Sequence, residues 1–146
     1  MEAKDFLTTE EQAQVVAAIK EAELNTSGEI RIHLDEKCKT SPMKRAISVF
    51  KHLNMEKTAA RNGVLIYVAC GSNKFSIIGD EGINKVVPEN FWQDVSLIMA
   101  EKFKARQFAE GLTIAAKMVG IKLKEYFPYQ SDDVNEHPDD ISFEEK

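Results

Sequence analysis

The sequence predicts an α/β fold: a three-layer α/β/α sandwich around a small mixed sheet, with elements in the order α-β-α-β-β-α-α. Three observations carry this expectation. Helical apolar spacing opens the chain, a strictly alternating stretch follows at 29–36, and a continuous apolar run at 64–70 reads as a strand covered on both faces.

The first helix starts at Thr8, which with Glu11 makes a capping-box pattern. Val15, Val16, Ile19 and Ala22 then recur at helical spacing, and Asn25–Gly28 should end the helix. In the first strand, Ile30, Ile32 and Leu34 point one way and Arg31, His33 and Asp35 the other, which reads as a half-buried strand. Ser41-Pro42 opens the second helix, with Ala46, Val49, Phe50 and Leu53 inward. Arg61-Asn62-Gly63 turns the chain into the second strand, Gly71-Ser72-Asn73 makes a hairpin, and Phe75–Ile78 is the third strand. Gly79-Asp80-Glu81-Gly82 breaks it. Pro88 leads into a third helix with Phe91, Trp92, Val95, Ile98 and Met99, and a fourth runs from Phe108 to Tyr126. Residues 1–128 form one domain, and 129–146 are read as a disordered acidic tail.

The 146 residues carry a net charge of −5. Seven acids (Asp132, Asp133, Glu136, Asp139, Asp140, Glu144 and Glu145) crowd the last sixteen positions, so the body is close to neutral. An acidic tail repels phosphate backbones, which argues against nucleic acid as a partner. No apolar run approaches a membrane span and no leader-like stretch opens the chain, so a cytoplasmic protein is expected. Cys38 and Cys70 are too few for a disulfide framework and read as reduced thiols.

The predicted topology gathers three motifs at one sheet rim. The first two strands start there and the third ends there, bringing together Thr26–Glu29, Arg61–Gly63 and Gly79–Gly82. The rim offers Glu29, Asp80 and Glu81 as carboxylates, Asn62 as an amide oxygen and Arg61 as a cation. Hard cations such as Ca²⁺ or Mg²⁺ take oxygen ligands of this kind. Equally, the motifs read as turns and caps with an Arg–carboxylate pair. The scattered histidines His33, His52 and His137 have no zinc spacing, and the serines have no nucleophile elbow. A Cys70–His33 dyad is the one nucleophilic pair the strands could bring together. The tail places Asp133, Asn135, His137, Asp139, Ile141 and Glu144 at EF-hand positions, but Pro138 stands where that loop needs glycine.

Taken in order, Thr26-Ser27-Gly28-Glu29-Ile30-Arg31, Arg61–Val68, Ile77–Asn84 and Phe108-Ala109-Glu110-Gly111-Leu112 resemble the TPM-domain family over residues 5–128. That family includes a thylakoid-lumen protein linked to photosystem II repair and an auxiliary protein of an acetylcholine receptor. Val87-Pro88-Glu89-Asn90-Phe91-Trp92 and the acidic tail are similar to its small stand-alone bacterial branch. The resemblance implies an α/β/α sandwich and divalent-cation binding, and an acid phosphatase activity has been proposed for the plant member. Asp80 and Gly82 match the family's loop after the third strand, Glu29 the opening of the first, and Asn62-Gly63 the turn before the second. Glu89 falls where many members carry Asp. The chain departs from the family in lacking a leader, a membrane anchor and a phosphatase nucleophile, so membrane-tethered roles are not carried over.

The expected function is therefore a divalent-metal-binding accessory or repair-type protein with protein partners, its metal held by Glu29, Asn62, Asp80, Glu81 and Glu89. The alternatives are a metal-dependent acid phosphatase, with Arg61 stabilising the transferred group, and a metal-free interaction module.

Overall fold

A computed structural model describes residues 3–128 and 141–143. Helix α1 spans Thr9–Glu23, and its capping box forms: the Thr8 hydroxyl accepts from Glu11 N–H at 3.0 Å, and Glu11 Oε1 accepts from Thr8 N–H at 2.9 Å. Strand β1 covers Glu29–Asp35, α2 Pro42–His52, β2 Gly63–Ala69 and β3 Lys74–Gly79. A single-turn α3 (Glu81–Asn84) precedes α4 (Phe91–Lys104) and α5 (Phe108–Tyr126), and β4 (Ser142–Phe143) follows. Ser41 caps α2 through Lys44 N–H, and Pro42 occupies its first turn, where a missing N–H costs nothing.

The sheet order is β3-β2-β1-β4. β1 and β2 pair in parallel from Glu29 opposite Gly63 to Asp35 opposite Ala69, and β3 runs antiparallel to β2. Helices α1, α4 and α5 cover one face. There Ile30, Ile32, Leu34, Val64, Ile66 and Val68 meet Val15, Ile19, Val95, Met99, Leu112 and Val119 in the main core. Helix α2 covers the other face, packing Ala46, Val49 and Phe50 on Leu65, Tyr67 and Ala69. The architecture is the expected α/β/α sandwich.

Two expectations need correction. β1 is not half-buried: all seven positions are buried, including Glu29, Arg31, His33 and Asp35 on the α2 side. Alternation in a sequence reports which face is apolar; it does not report whether the polar face meets water or other chain. The tail also contributes structure. Ser142 pairs with His33 and Phe143 with Leu34, making β4 a parallel neighbour of β1, and Ile141 enters the main core. The remainder of the acidic stretch, with most of its EF-hand-like spacing, lies outside the described residues. Gly79–Gly82 is more than a break, because Asp80 caps α3 at that point.

Helices α1 and α5 approach closely at Gly120, where a Cβ would stand 2.6 Å from Ala22 Cβ. Both positions are on packed helix faces, so overpacking has no flexible tip to displace. Gly120→Val should lower unfolding stability by about 1–3 kcal/mol, read as a lower urea midpoint at unchanged m-value.

Candidate functional site

Two polar clusters occupy opposite ends of β1. The first is the rim read from the sequence. Arg61 lies in the left-handed region (φ 53°) and points its guanidinium at the end of β3. Its Nε donates to Asp80 Oδ2 at 2.7 Å, its Nη2 to Asp80 Oδ1 at 2.9 Å, and its Nη1 to Glu81 Oε1 at 3.3 Å. Asp80 Oδ1 also accepts the Glu81 N–H at 2.8 Å. Gly82 fits under this turn because a Cβ there would strike the carbonyls of Ala60 and Arg61. Asn62 is buried beside it: its N–H donates to Thr58 Oγ1 and its Nδ2 to Ser27 Oγ, both at 3.1 Å. Its Oδ1 is buried with no hydrogen-bond partner among the described residues.

The structure thus unites Arg61, Asp80 and Glu81 directly, with Asn62 next in sequence and Glu29 opposite Gly63 in register. Glu89 is exposed before α4, apart from the Arg61–Asp80–Glu81 pairing of the rim. These residues do not fit a ready cage for a hard dication. Both oxygens of Asp80 already accept a bidentate guanidinium, whose positive charge opposes a second cation at the same place. Among the described residues, no group of three or more His, Cys, Asp or Glu side chains is placed to hold a metal ion.

The second cluster was not read from the sequence. Asp35, 1% exposed at the end of β1, collects four hydrogen bonds. Arg45 Nε and Tyr67 O–H donate to Oδ2 at 2.7 and 2.6 Å. On Oδ1, His33 Nε2 lies at 2.9 Å and Arg45 Nη2 at 3.3 Å. Burial alone raises a carboxyl pKa, but here the bonds from His33, Arg45 and Tyr67 outweigh it and hold Asp35 well below the usual carboxylate range. Burial, reinforced by the Asp35 charge, pushes the Tyr67 hydroxyl far up, so it stays a donor.

An ionised carboxylate can only accept, so His33 carries its proton on Nε2 when neutral. Its Nδ1 then presents a lone pair to Ser142 Oγ, 2.8 Å away. The cluster lines a cleft of about 490 Å³, with His33, Arg45, Ser48, His52, Ser142 and Phe143 in its wall. The conceivable Cys70–His33 dyad does not form: Cys70 Sγ donates to the Asp35 carbonyl at 3.3 Å, and Ser142 takes the place beside the imidazole. One signal in the sequence could have exposed the cluster. His33 and Asp35 share a face at i, i+2, and Tyr67, opposite His33 in register, is the one polar tip inside an apolar run.

The TPM domain model matches residues 1–121. The chain belongs to the TPM-domain family. It is 43% identical to the BA42 protein of the psychrophilic bacterium Bizionia argentinensis, with a TM-score of 0.88 and 97% of each chain covered. The N-terminal domain of the cg2496 protein of Corynebacterium glutamicum shares the fold at 11% identity and a TM-score of 0.66, over 90% of this chain and 82% of that one. No curated protein matches. Among the described residues of this TPM domain, no helix is long and apolar enough to cross a membrane.

Tyr67→Phe removes one donor to a buried carboxylate and should cost about 1–3 kcal/mol in urea unfolding at pH 7. The folded pKa of Asp35 is depressed, so its contribution is complete above the ordinary carboxylate range and lost as pH falls toward the folded value. The stability gap between wild type and Asp35→Asn should therefore be flat from neutral pH down to about pH 5 and shrink below about pH 4.

Proposed function

We propose that this TPM domain is an accessory binding protein that docks an extended, apolar segment of a partner protein along β3. One observation carries the reading. β3 is the terminal strand of the sheet, and its outer backbone edge has no strand partner among the described residues. Beside it runs a cleft of about 370 Å³ lined by Ile47, Phe50, Lys51, Ile78 and Gly79. Ile47 is 42% exposed and Met43, on the same helix, 49%. An edge strand beside an apolar groove is the arrangement that accepts an added strand: main-chain hydrogen bonds supply affinity and the groove takes alternate side chains. Arg61 and Asp80 also line this cleft, so the rim turn borders the docking site. Cys38 and Cys70 form no disulfide, which fits a reducing, cytoplasmic setting.

A second reading keeps a Ca²⁺ or Mg²⁺ ion at the rim. The buried, unpartnered Oδ1 of Asn62 favours it, being the kind of oxygen such ions take. Against it stands the Arg61 pairing of Asp80 and Glu81. A metal-dependent phosphatase needs the same ion, and no observation at the rim favours it.

Selection from a displayed library of random peptides should yield apolar, extended binders that shift the amide resonances of residues 74–79, and Ile47→Asp should abolish that binding with the melting temperature retained. Binders that map elsewhere, or a selection that yields none, count against docking at β3. In a melt of chelator-treated protein, millimolar Ca²⁺ or Mg²⁺ should leave the transition unmoved if the rim is a closed ion pair. A rise in wild type that vanishes in Asp80→Asn establishes the cation reading instead, because a ligand of the native state must stabilise it.

A further inference from the structure

The geometry points to a second, hydrolytic site at the carboxyl end of β1, where Ser142 is the nucleophile toward small carboxylic esters, His33 its base and Asp35 the group that positions the base. It lies at the other end of the strand from the rim and stands independently of docking at β3.

Asp35 is fixed by donors from three directions, Arg45, Tyr67 and His33, so it cannot rotate away from the imidazole. Holding Nε2–H, it leaves Nδ1 as an acceptor, and the atom nearest that lone pair is Ser142 Oγ at 2.8 Å. A nucleophile within hydrogen-bond reach of a base, and the base oriented by a third group, is the working constellation of serine hydrolases. Here the two ring nitrogens exchange their commoner roles: the serine faces Nδ1 and the carboxylate Nε2. Tyr67 stacks on the other side of the arrangement, its ring 6.1 Å from that of His33 at an interplanar angle of 12°. Backbone pairing of Ser142 with His33 and burial of Ile141 seat the nucleophile.

Ser142 Oγ also stands 3.2 Å from the Ile32 carbonyl. The hydroxyl has one proton and two acceptors, so the reactive rotamer is the one that donates to Nδ1. The roughly 490 Å³ cleft beside it has room for a small acyl group, and Arg45 and His52 give its wall cationic or donor groups for a developing oxyanion. Ser48 also lines the cleft and adds a hydroxyl to its wall.

In the reaction, Oγ forms a bond to the ester carbonyl carbon as its proton passes to Nδ1. The resulting imidazolium is stabilised by Asp35. Collapse of the tetrahedral intermediate breaks the carbon–alkoxide bond, and the departing alcohol takes the proton from Nδ1. Water then attacks the acyl-serine, gives a proton to Nδ1, and releases the carboxylic acid while that proton returns to Oγ. No metal, oxidant or further reactant is required.

The test uses the full chain and two probes, a fluorophosphonate and p-nitrophenyl acetate. The fluorophosphonate reports the same step: Oγ–P forms, P–F breaks, and the hydroxyl proton moves to Nδ1. Peptide mapping of wild-type protein should place the adduct on Ser142. Ser142→Ala should lose both the adduct and ester turnover, and His33→Gln should slow both by about 100-fold or more. Ser142→Ala should keep its amide spectrum; if it does not, the map of the wild-type adduct decides by itself, since it needs no variant. A folded wild-type protein with no adduct at Ser142, or turnover unchanged in a folded Ser142→Ala, overturns the proposal and leaves Ser142 as a fastener of β4.

Discussion

A carboxylate buried to 1% exposure at the end of the central strand is the constraint around which one half of this molecule is arranged. Left alone, ionised Asp35 would cost several kcal/mol of lost hydration. Arg45 from α2, Tyr67 from β2 and His33 from β1 itself meet that cost, and in doing so they tie three elements to one point. The tie explains why α2 lies over β2 with its Arg45 end at the strand termini. It also explains why the α2 side of β1 can be polar and buried at once. Ser142 then extends the same chain of hydrogen bonds to β4, the last described element of the chain.

The rim shows the same chemistry with fewer partners. Arg61 clamps Asp80 as Arg45 clamps Asp35, with both guanidinium side chains partly exposed and their carboxylates buried, but among the described residues no tyrosine or histidine joins the pair at Asp80. Its role is local: it holds the turn that enters β2 against the turn that leaves β3, while the Arg61 carbonyl accepts from Gly82 N–H at 2.8 Å. A left-handed arginine at such a turn is costly backbone, and the bidentate pair is what it obtains in exchange. The two clusters thus separate by environment. One carboxylate is bonded by three residues and reaches a cleft through a histidine; the other is neutralised by its own arginine.

Membership of the TPM-domain family was legible from short motifs in the right order, because those motifs are the turns that set strand direction. Asn62-Gly63 must turn into a buried strand, and Gly82 must pass under two carbonyls, so few residue types serve there. The rim residues were legible for the same reason. Their mutual pairing was not, since spacing brings Arg61 and Asp80 to one place without saying whether the guanidinium or a cation takes the carboxylate. Glu89 is exposed before α4, apart from the Arg61–Asp80–Glu81 pairing.

The sequence by itself determined the layers, the strand directions and the helix caps, because each depends on residues within a few positions: Thr8 with Glu11, Ser41 with Pro42, apolar spacing along a face. Only the tertiary structure decided what the polar face of β1 touches. His33 and Asp35 read as solvent-facing residues until α2 and β4 are laid against them, and Ser142 is 109 positions from the imidazole it meets. No local pattern encodes such a meeting. It follows from two chain segments being packed on one strand, where every buried charge must find its partner from whichever element lies nearest.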